Sequence, residues 1–250
     1  MLTILSPSKT QDFSLLSGIA SSYPRQINQT NQLMVLMKKI SKPKLAELMS
    51  LSETLSEQTY KKTQNYEFKD NPQNTKQALF AFKGEAFNHI NAKSFSSTNL
   101  IFAQSHLRII SGLYGVLRPL DLIQSYRLEM ATKLANKNGR NIYNFWGNTI
   151  TDVLNQDENE IIINLASNEY FKSIKKNRLK PKVITIHFKE KKINMYKTIG
   201  VFAKQARGAM VNYLITNQIT DSILLQNFNQ DGYTFNQQHS SEADWVFTRG

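Results

Sequence analysis

The first half of the chain combines one short strand with several segments in which apolar residues recur at helical spacing. Leu2–Leu5 alternates apolar and polar positions and ends at a Ser-Pro step, which predicts a strand followed by a loop. Helices are predicted over 28–40, from Pro43, from Ser52 and over 100–111. Residues 76–90 are apolar on one face but contain Gly84, which predicts two helices or one kinked helix.

The second half contains more strand-like runs. Helices are predicted over 141–154 and 200–217, and strands over 161–165, 183–188, 193–199, 233–235 and 245–247. The strands 183–188 and 193–199 flank Lys189–Lys192, which predicts a β-hairpin. Residues 120–130 fit either a helix or a strand. Because no repeat, linker or low-complexity block interrupts the pattern, we expect residues 1–250 to form a single α+β domain, with mixed α/β structure.

Composition narrows the class of protein. With 40% hydrophobic and 20% charged residues, the 250-residue chain is expected to be globular. The absence of cysteine excludes disulfides, thiolate catalysis and zinc ribbons. No apolar run is long enough to span a membrane, and the first residues do not resemble a signal peptide. We therefore expect a cytoplasmic protein with no membrane partner.

The positive charge is concentrated in one segment. Residues 172–207 contain twelve Lys or Arg and a single acid, Glu190, whereas the whole chain has a net charge of +12. A net charge of +11 within one seventh of the chain indicates a polyanionic partner, because neutralising phosphates releases counterions. The alternative is a lysine-rich surface that is merely solvated.

Several common chemistries lack their motifs. The chain has neither of the two glycine-rich phosphate-binding loops and no G-x-S-x-G nucleophile turn. Its four histidines are not spaced as metal ligands. The sequence therefore predicts no metal site and no bound cofactor.

Basic residues set in apolar or glycine-containing segments are the best candidates for anion contacts. They are Lys9, Lys83, Arg108, Arg118, Arg127, Lys204 and Arg207. Lys204 and Arg207 lie three residues apart on a predicted helix, so both can reach one anion.

Residues 107–121 carry the most specific pattern. A predicted helix, the Ser111–Gly115 turn and a proline that can open another helix resemble a helix-hairpin-helix, in which glycines let a DNA backbone approach. Gly112 and Gly115 are three apart, whereas the usual motif has them two apart. A purely structural turn between two helices is the alternative.

Six segments together resemble the bacterial YaaA family. They are SPSKT at 6–10, AFKGEAF at 81–87, the block 106–130, NFWG at 144–147, NLASNEYFKSI at 164–174 and AKQARGAM at 203–210. The resemblance implies a single mixed α/β domain that acts in the response to peroxide and limits damage from free iron. It also implies DNA binding through a helix-hairpin-helix and a positively charged cleft.

Transferred to this chain, the resemblance assigns two sets of DNA-binding residues. The hairpin would comprise Arg108, Ser111, Gly112, Gly115 and Arg118, and the cleft would comprise Lys9, Lys83, Arg127, Lys172, Lys204 and Arg207. Duplex or distorted DNA would be bound mainly by its backbone, and the cleft could also take a small anionic ligand.

Two other functions stay open at this point. An enzyme acting on damaged DNA or a nucleotide could use Glu85, Glu129 or Glu169 as acid or base, although each carboxylate could equally belong to a structural ion pair. Direct iron sequestration would need an Asp, Glu or His cluster, and the sequence contains none.

Overall fold

A mostly parallel sheet forms the centre of the computed structural model, which describes residues 1–68, 74–193 and 195–250. The strands are β1 (Leu2–Leu5), β2 (Thr10–Gln11), β3 (Lys76–Gln77), β4 (Phe82–Lys83), β5 (Leu107–Ser111), β6 (Gly115–Leu117), β7 (Leu122–Ile123), β8 (Ile161–Asn164), β9 (Lys182–Lys192), β10 (Met195–Lys197), β11 (Thr234–Phe235) and β12 (Asp244–Arg249). The eight-stranded sheet has the order β11-β12-β9-β8-β1-β5-β6, and β10 also pairs with β9.

Helices cover this sheet. They are α1 (Ile27–Lys38), α2 (Lys42–Met49), α3 (Glu53–Gln64), α4 (Ala78–Ala81), α5 (Glu85–Ile90), α6 (Ser97–His106), α7 (Ile142–Trp146), α8 (Thr149–Gln156), α9 (Asn168–Phe171) and α10 (Gly200–Thr216). Every residue of β1 and β5 is buried, as expected for strands covered on both faces. The buried apolar residues form one cluster, and the expected mixed α/β fold is confirmed.

The parallel pairing places the carboxyl ends of five strands at one edge. β1 pairs in parallel with β5 and β8, β8 with β9, and β9 with β12. The segments that follow β1, β8 and β9 therefore leave the sheet on the same side. In open α/β sheets, the edge formed by the carboxyl ends of the strands is where ligands bind.

The helix predicted over 100–111 is wrong in its second half. α6 ends at His106, and Leu107–Ser111 is the central strand β5. A short, continuous apolar run fits a buried helix as well as a buried strand, so its periodicity could not distinguish them. In the structure, all five residues of Leu107–Ser111 are buried in the centre of the sheet, and they form a strand.

The structure also gives the outcome of three other predictions. Gly84 does separate two helices, α4 and α5, because its φ of +121° is unfavourable for a residue with a Cβ atom. The helix predicted over 141–154 is divided into α7 and α8. The 120–130 segment contains only the short strand Leu122–Ile123.

The predicted 183–199 hairpin is formed by β9 and β10, with Met195 opposite Lys192. Asn194, within the strand predicted over 193–199, lies outside the described residues. The two closing strands are confirmed as β11 and β12.

Candidate anion-binding cleft

A cleft of about 400 Å³ opens at the carboxyl edge of the sheet. Its walls are the loop after β1, the loop after β8, the start of α5 and one face of α10. The lining residues are Leu5–Thr10, Gly84–Phe87, Leu165, Ser167, Glu169, Tyr170, Lys204 and Arg207. Four segments that are distant in sequence thus meet because β1 and β8 are parallel neighbours and α10 packs against α5.

Three cations from the predicted set line this cleft, namely Lys9, Lys204 and Arg207. The ammonium group of Lys9 lies 2.7 Å from a carboxylate oxygen of Glu129. Lys204 forms no ion pair with a described residue. A carboxylate therefore neutralises one of these positive charges, whereas Lys204 keeps its charge without an ion-pair partner among the described residues.

The positive charge of Arg207 is the least offset of the three, because its side chain has lost most of its contact with solvent and forms no ion pair with a described residue. Most of its side chain is buried, and its Nε atom has no hydrogen-bond partner among the described residues. Burial lowers the pKa of Arg207, yet a guanidinium stays protonated in proteins. A buried cation without a partner is costly, so this position is suited to an anion supplied from outside the chain.

Close helix packing positions Arg207. The next residue, Gly208, faces α5 so closely that an added Cβ atom would lie 2.0 Å from the carbonyl oxygen of Ala86. Only glycine permits this approach of α10 to α5. As a result, Arg207 and the first turn of α5 border the same cleft.

Hydroxyl and carboxylate groups form the remaining polar lining. The backbone N–H of Ser167 donates to Ser6 Oγ at 2.8 Å, which ties the two strand-end loops together. Glu169 accepts a hydrogen bond from the backbone N–H of Ala131 at 3.1 Å, and Glu85 accepts one from Gln205 at 2.7 Å.

Three other predicted residues are absent from the cleft lining and have partners of their own. Lys83 is 3.3 Å from Asp12, and Arg127 is 3.4 Å from Glu129, the partner of Lys9. The ammonium group of Lys172 lies 5.7 Å from the centre of the Tyr143 ring. These contacts leave the Nε atom of Arg127 buried and without a hydrogen-bond partner among the described residues.

A second recess adjoins the cleft across Phe87. Its lining includes Lys76, Lys83 and Lys93 together with Asp12. Burial lowers the pKa of Lys76, although Asp12 partly opposes that shift. The positive lining thus continues beyond the cleft itself.

The helix-hairpin-helix predicted for 107–121 is wrong, because β5 and β6 form an antiparallel β-hairpin there. Ser111, Gly112 and Gly115 are buried and offer no surface to a DNA backbone. A Cβ atom on Gly112 would lie 2.4 Å from the carbonyl oxygen of Leu128, and one on Gly115 would lie 2.8 Å from the Trp146 ring. These glycines therefore serve core packing.

The two arginines that flank this turn are held in ion pairs. Arg108 is buried, and its Nε donates to Asp157 at 2.9 Å. Arg118 lies 2.8 Å from Asp121, which is fully buried. Both arginines stabilise the fold at these positions and lie outside the cleft lining.

The basic segment 172–207 does not form one patch. Lys182 and Lys192 occupy opposite ends of β9 and are about 33 Å apart at the usual rise per residue. Lys191, Lys192 and Lys197 belong to the β9–β10 hairpin, beyond the carboxyl edge of the sheet. Only part of the segment's charge therefore lies on the side of the cleft.

Sequence reasoning missed Ser6 and Ser167 as cleft residues. Each follows a strand that was correctly predicted, and the carboxyl ends of parallel strands meet at one edge. The two strand ends could be recognised in the sequence, but placing the serines together required knowing that β1 and β8 are neighbours.

Among the described residues, no group of three His, Asp or Glu side chains is arranged to hold a metal ion. No helix in the described ranges is long and apolar enough to cross a membrane.

Comparison with known proteins identifies the family. The family model described as peroxide stress protein YaaA matches residues 1–239. The chain belongs to the YaaA family. It is 47% identical to a UPF0246 protein of Acaryochloris marina over the full length of both chains. UPF0246 proteins of Teredinibacter turnerae and Alteromonas mediterranea are 43% and 42% identical, and each match covers this whole chain and 99% or 98% of the relative.

YaaA membership confirms the resemblance seen in the six sequence segments. The name of the family model describes a peroxide stress protein, which is consistent with a role in the response to oxidative stress. The cleft described above lies within the matched residues.

Proposed function

We propose that this protein binds DNA through its phosphate backbone in the response to peroxide. The observation that carries the proposal is the convergence of Lys9, Lys204 and Arg207 on one concave surface. Lys9 comes from the loop after β1, and the other two come from α10. Cations gathered from such distant segments favour an anionic partner over a solvated surface.

The surroundings favour an anion longer than one phosphate. The adjoining recess carries Lys76, Lys83 and Lys93, and the β9–β10 hairpin carries further lysines beyond the same edge of the sheet. Lysine is a point charge that contacts phosphates without reading bases. We therefore expect affinity that depends steeply on salt and little on sequence.

Replacing Lys204 by glutamine tests this proposal. Loss of one phosphate contact is expected to weaken binding roughly five- to tenfold near 0.1 M salt and to lower the slope of log affinity against log salt by about 0.9. Fluorescence anisotropy with a labelled duplex over a salt series measures both quantities. The effect should be equal for duplexes of unrelated sequence.

Lys182→Gln is the matched control. It removes the same charge from the same basic segment. Lys182, however, is the first residue of β9 and lies at the end of the strand away from the carboxyl edge. Its affinity and salt slope should equal those of the wild type. Equal losses in both variants would mean that only net charge matters, and an unchanged Lys204→Gln variant would contradict binding at the cleft.

Enzymatic action on damaged DNA or a nucleotide is the second candidate. Glu85 and Glu169 line the same cleft as the cations, so an acid or base is close to any bound anion. Each already accepts a hydrogen bond from a neighbour. Incubating the protein with oxidised duplexes, with and without divalent metal, should yield a cleaved or excised product if this candidate is correct.

A further inference from the structure

We infer that the cleft holds one unstacked nucleotide, with its phosphate on Arg207 and Lys204. This inference rests on the proposed function, since the nucleotide would come from DNA bound across the cleft mouth. A volume of about 400 Å³ is near the lower end of the range for small-molecule sites. Such a cleft suits one nucleotide, whereas a base-paired duplex can contact only its rim.

Arg207 is the anchor for the phosphate. Its side chain is mostly buried, its Nε lacks a hydrogen-bond partner among the described residues, and no ion pair with them offsets its charge. A guanidinium can grip phosphate with two parallel hydrogen bonds, which an ammonium cannot. Lys204 lies three residues earlier on α10 and lines the same wall, so it adds a second charge to the same anion.

Other residues that line the cleft can recognise the rest of a nucleotide. Ser6 and Ser167 supply hydroxyl groups, and Glu169 supplies carboxylate oxygen atoms that can accept from an amino group or a sugar hydroxyl. Phe87 and Tyr170 add apolar surface to the same cleft. Cationic groups for the phosphate and hydrogen-bonding groups for the base or sugar thus line one cleft, as a nucleotide requires. A base extruded from its stack is read in pockets of this kind.

Nucleotide binding is tested with free deoxyadenosine monophosphate, deoxyadenosine and inorganic phosphate, each titrated calorimetrically. We expect the monophosphate to bind more tightly than either fragment. Arg207→Met should weaken its binding roughly 10- to 100-fold, the usual effect of losing a charged hydrogen bond. Arg207→Lys should restore part of the affinity, because it keeps the charge and loses the planar fork.

Thermal unfolding separates this role from a structural one. If Arg207 is kept for a ligand, Arg207→Met removes an uncompensated buried charge, and Tm should stay the same or rise. A lower Tm for Arg207→Met together with unchanged affinity of the same variant for the monophosphate would overturn the inference.

The source of the nucleotide is tested with a duplex containing 2-aminopurine, which fluoresces when it leaves the base stack. A fluorescence increase on binding, absent in Arg207→Met, supports a nucleotide taken from the strand. Duplex binding that depends on Lys204, with neither 2-aminopurine fluorescence nor monophosphate affinity, would overturn this inference and leave the proposed function standing. Monophosphate binding without any duplex binding would instead contradict the proposed function and assign the cleft to a free nucleotide.

Discussion

Replacing Gly208 by alanine is expected to lower the free energy of unfolding by about 3 kcal/mol, the upper range for overpacking a core. The added Cβ atom would lie 2.0 Å from the carbonyl oxygen of Ala86, and this backbone oxygen cannot move without displacing α5. Because α10 carries Lys204 and Arg207, its separation from α5 should also weaken DNA binding. Chemical denaturation and duplex anisotropy measure the two effects.

Gly200→Ala is the matched control for this prediction. Gly200 is the first residue of the same helix, and an added Cβ atom there would meet nothing within 4 Å. Alanine at such a position typically stabilises by about 0.4–1 kcal/mol. A Gly208→Ala variant as stable as the control would show that α5 and α10 are not in close contact.

Asp157→Asn is expected to lower the free energy of unfolding by about 3–5 kcal/mol, and Tm by roughly 10 °C. The reason is the state of Arg108, whose side chain is only 6% exposed and loses its carboxylate partner. Arg25, whose guanidinium lies 2.8 Å from Asp157, loses the same partner. A buried cation without compensation is far more costly than a surface one. Urea denaturation at neutral pH measures the loss.

The control is Asp152→Asn, which breaks an ion pair with Arg178 in which both side chains are about half exposed. Exposed pairs contribute about 0–1 kcal/mol, so this variant should unfold almost like the wild type. Equal stability of Asp157→Asn and Asp152→Asn would refute the structural role assigned to Arg108.

At acid pH, the free energy of unfolding of Asp157→Asn should equal that of the wild type. Burial by itself raises the pKa of Asp157, but hydrogen bonds from Arg108 and Arg25 outweigh it, so the pKa lies below its ordinary value. A carboxylate with a depressed pKa stabilises the fold above its unfolded pKa of about 3.9, and this stabilisation is lost as pH falls through the folded pKa. Stability measured from pH 6 to pH 2 should therefore fall less steeply in the variant.

The 107–121 segment shows where sequence reasoning failed. Its apolar residues and its glycines were correctly recognised as a tight turn between two regular elements. Their number was too small to separate a helix from a strand, and only the position of β5 between β1 and β6 decided the matter. The glycines were read as an opening for DNA, whereas Leu128 and Trp146 occupy that space.

The candidate cleft shows a different limit. Lys9, Lys204 and Arg207 were singled out because each lies in an apolar or glycine-containing segment, and the structure places all three in the lining of one cleft. Lys83 and Arg127, chosen by the same reasoning, have carboxylate partners close by. A sequence pattern identifies unusual cations, but it does not show which of them are neutralised.

The sequence by itself determined the family, the mixed α/β class, most of the helices and strands and the concentration of charge, because local periodicity and motif order are written along the chain. Tertiary structure alone decided that Ser6, Ser167, Glu85 and Arg207 share a cleft and that Arg108 belongs to the core. The physical reason is the parallel pairing of β1 with β8 and the close packing of α10 on α5. These contacts join residues up to 160 positions apart, a separation that no local pattern records.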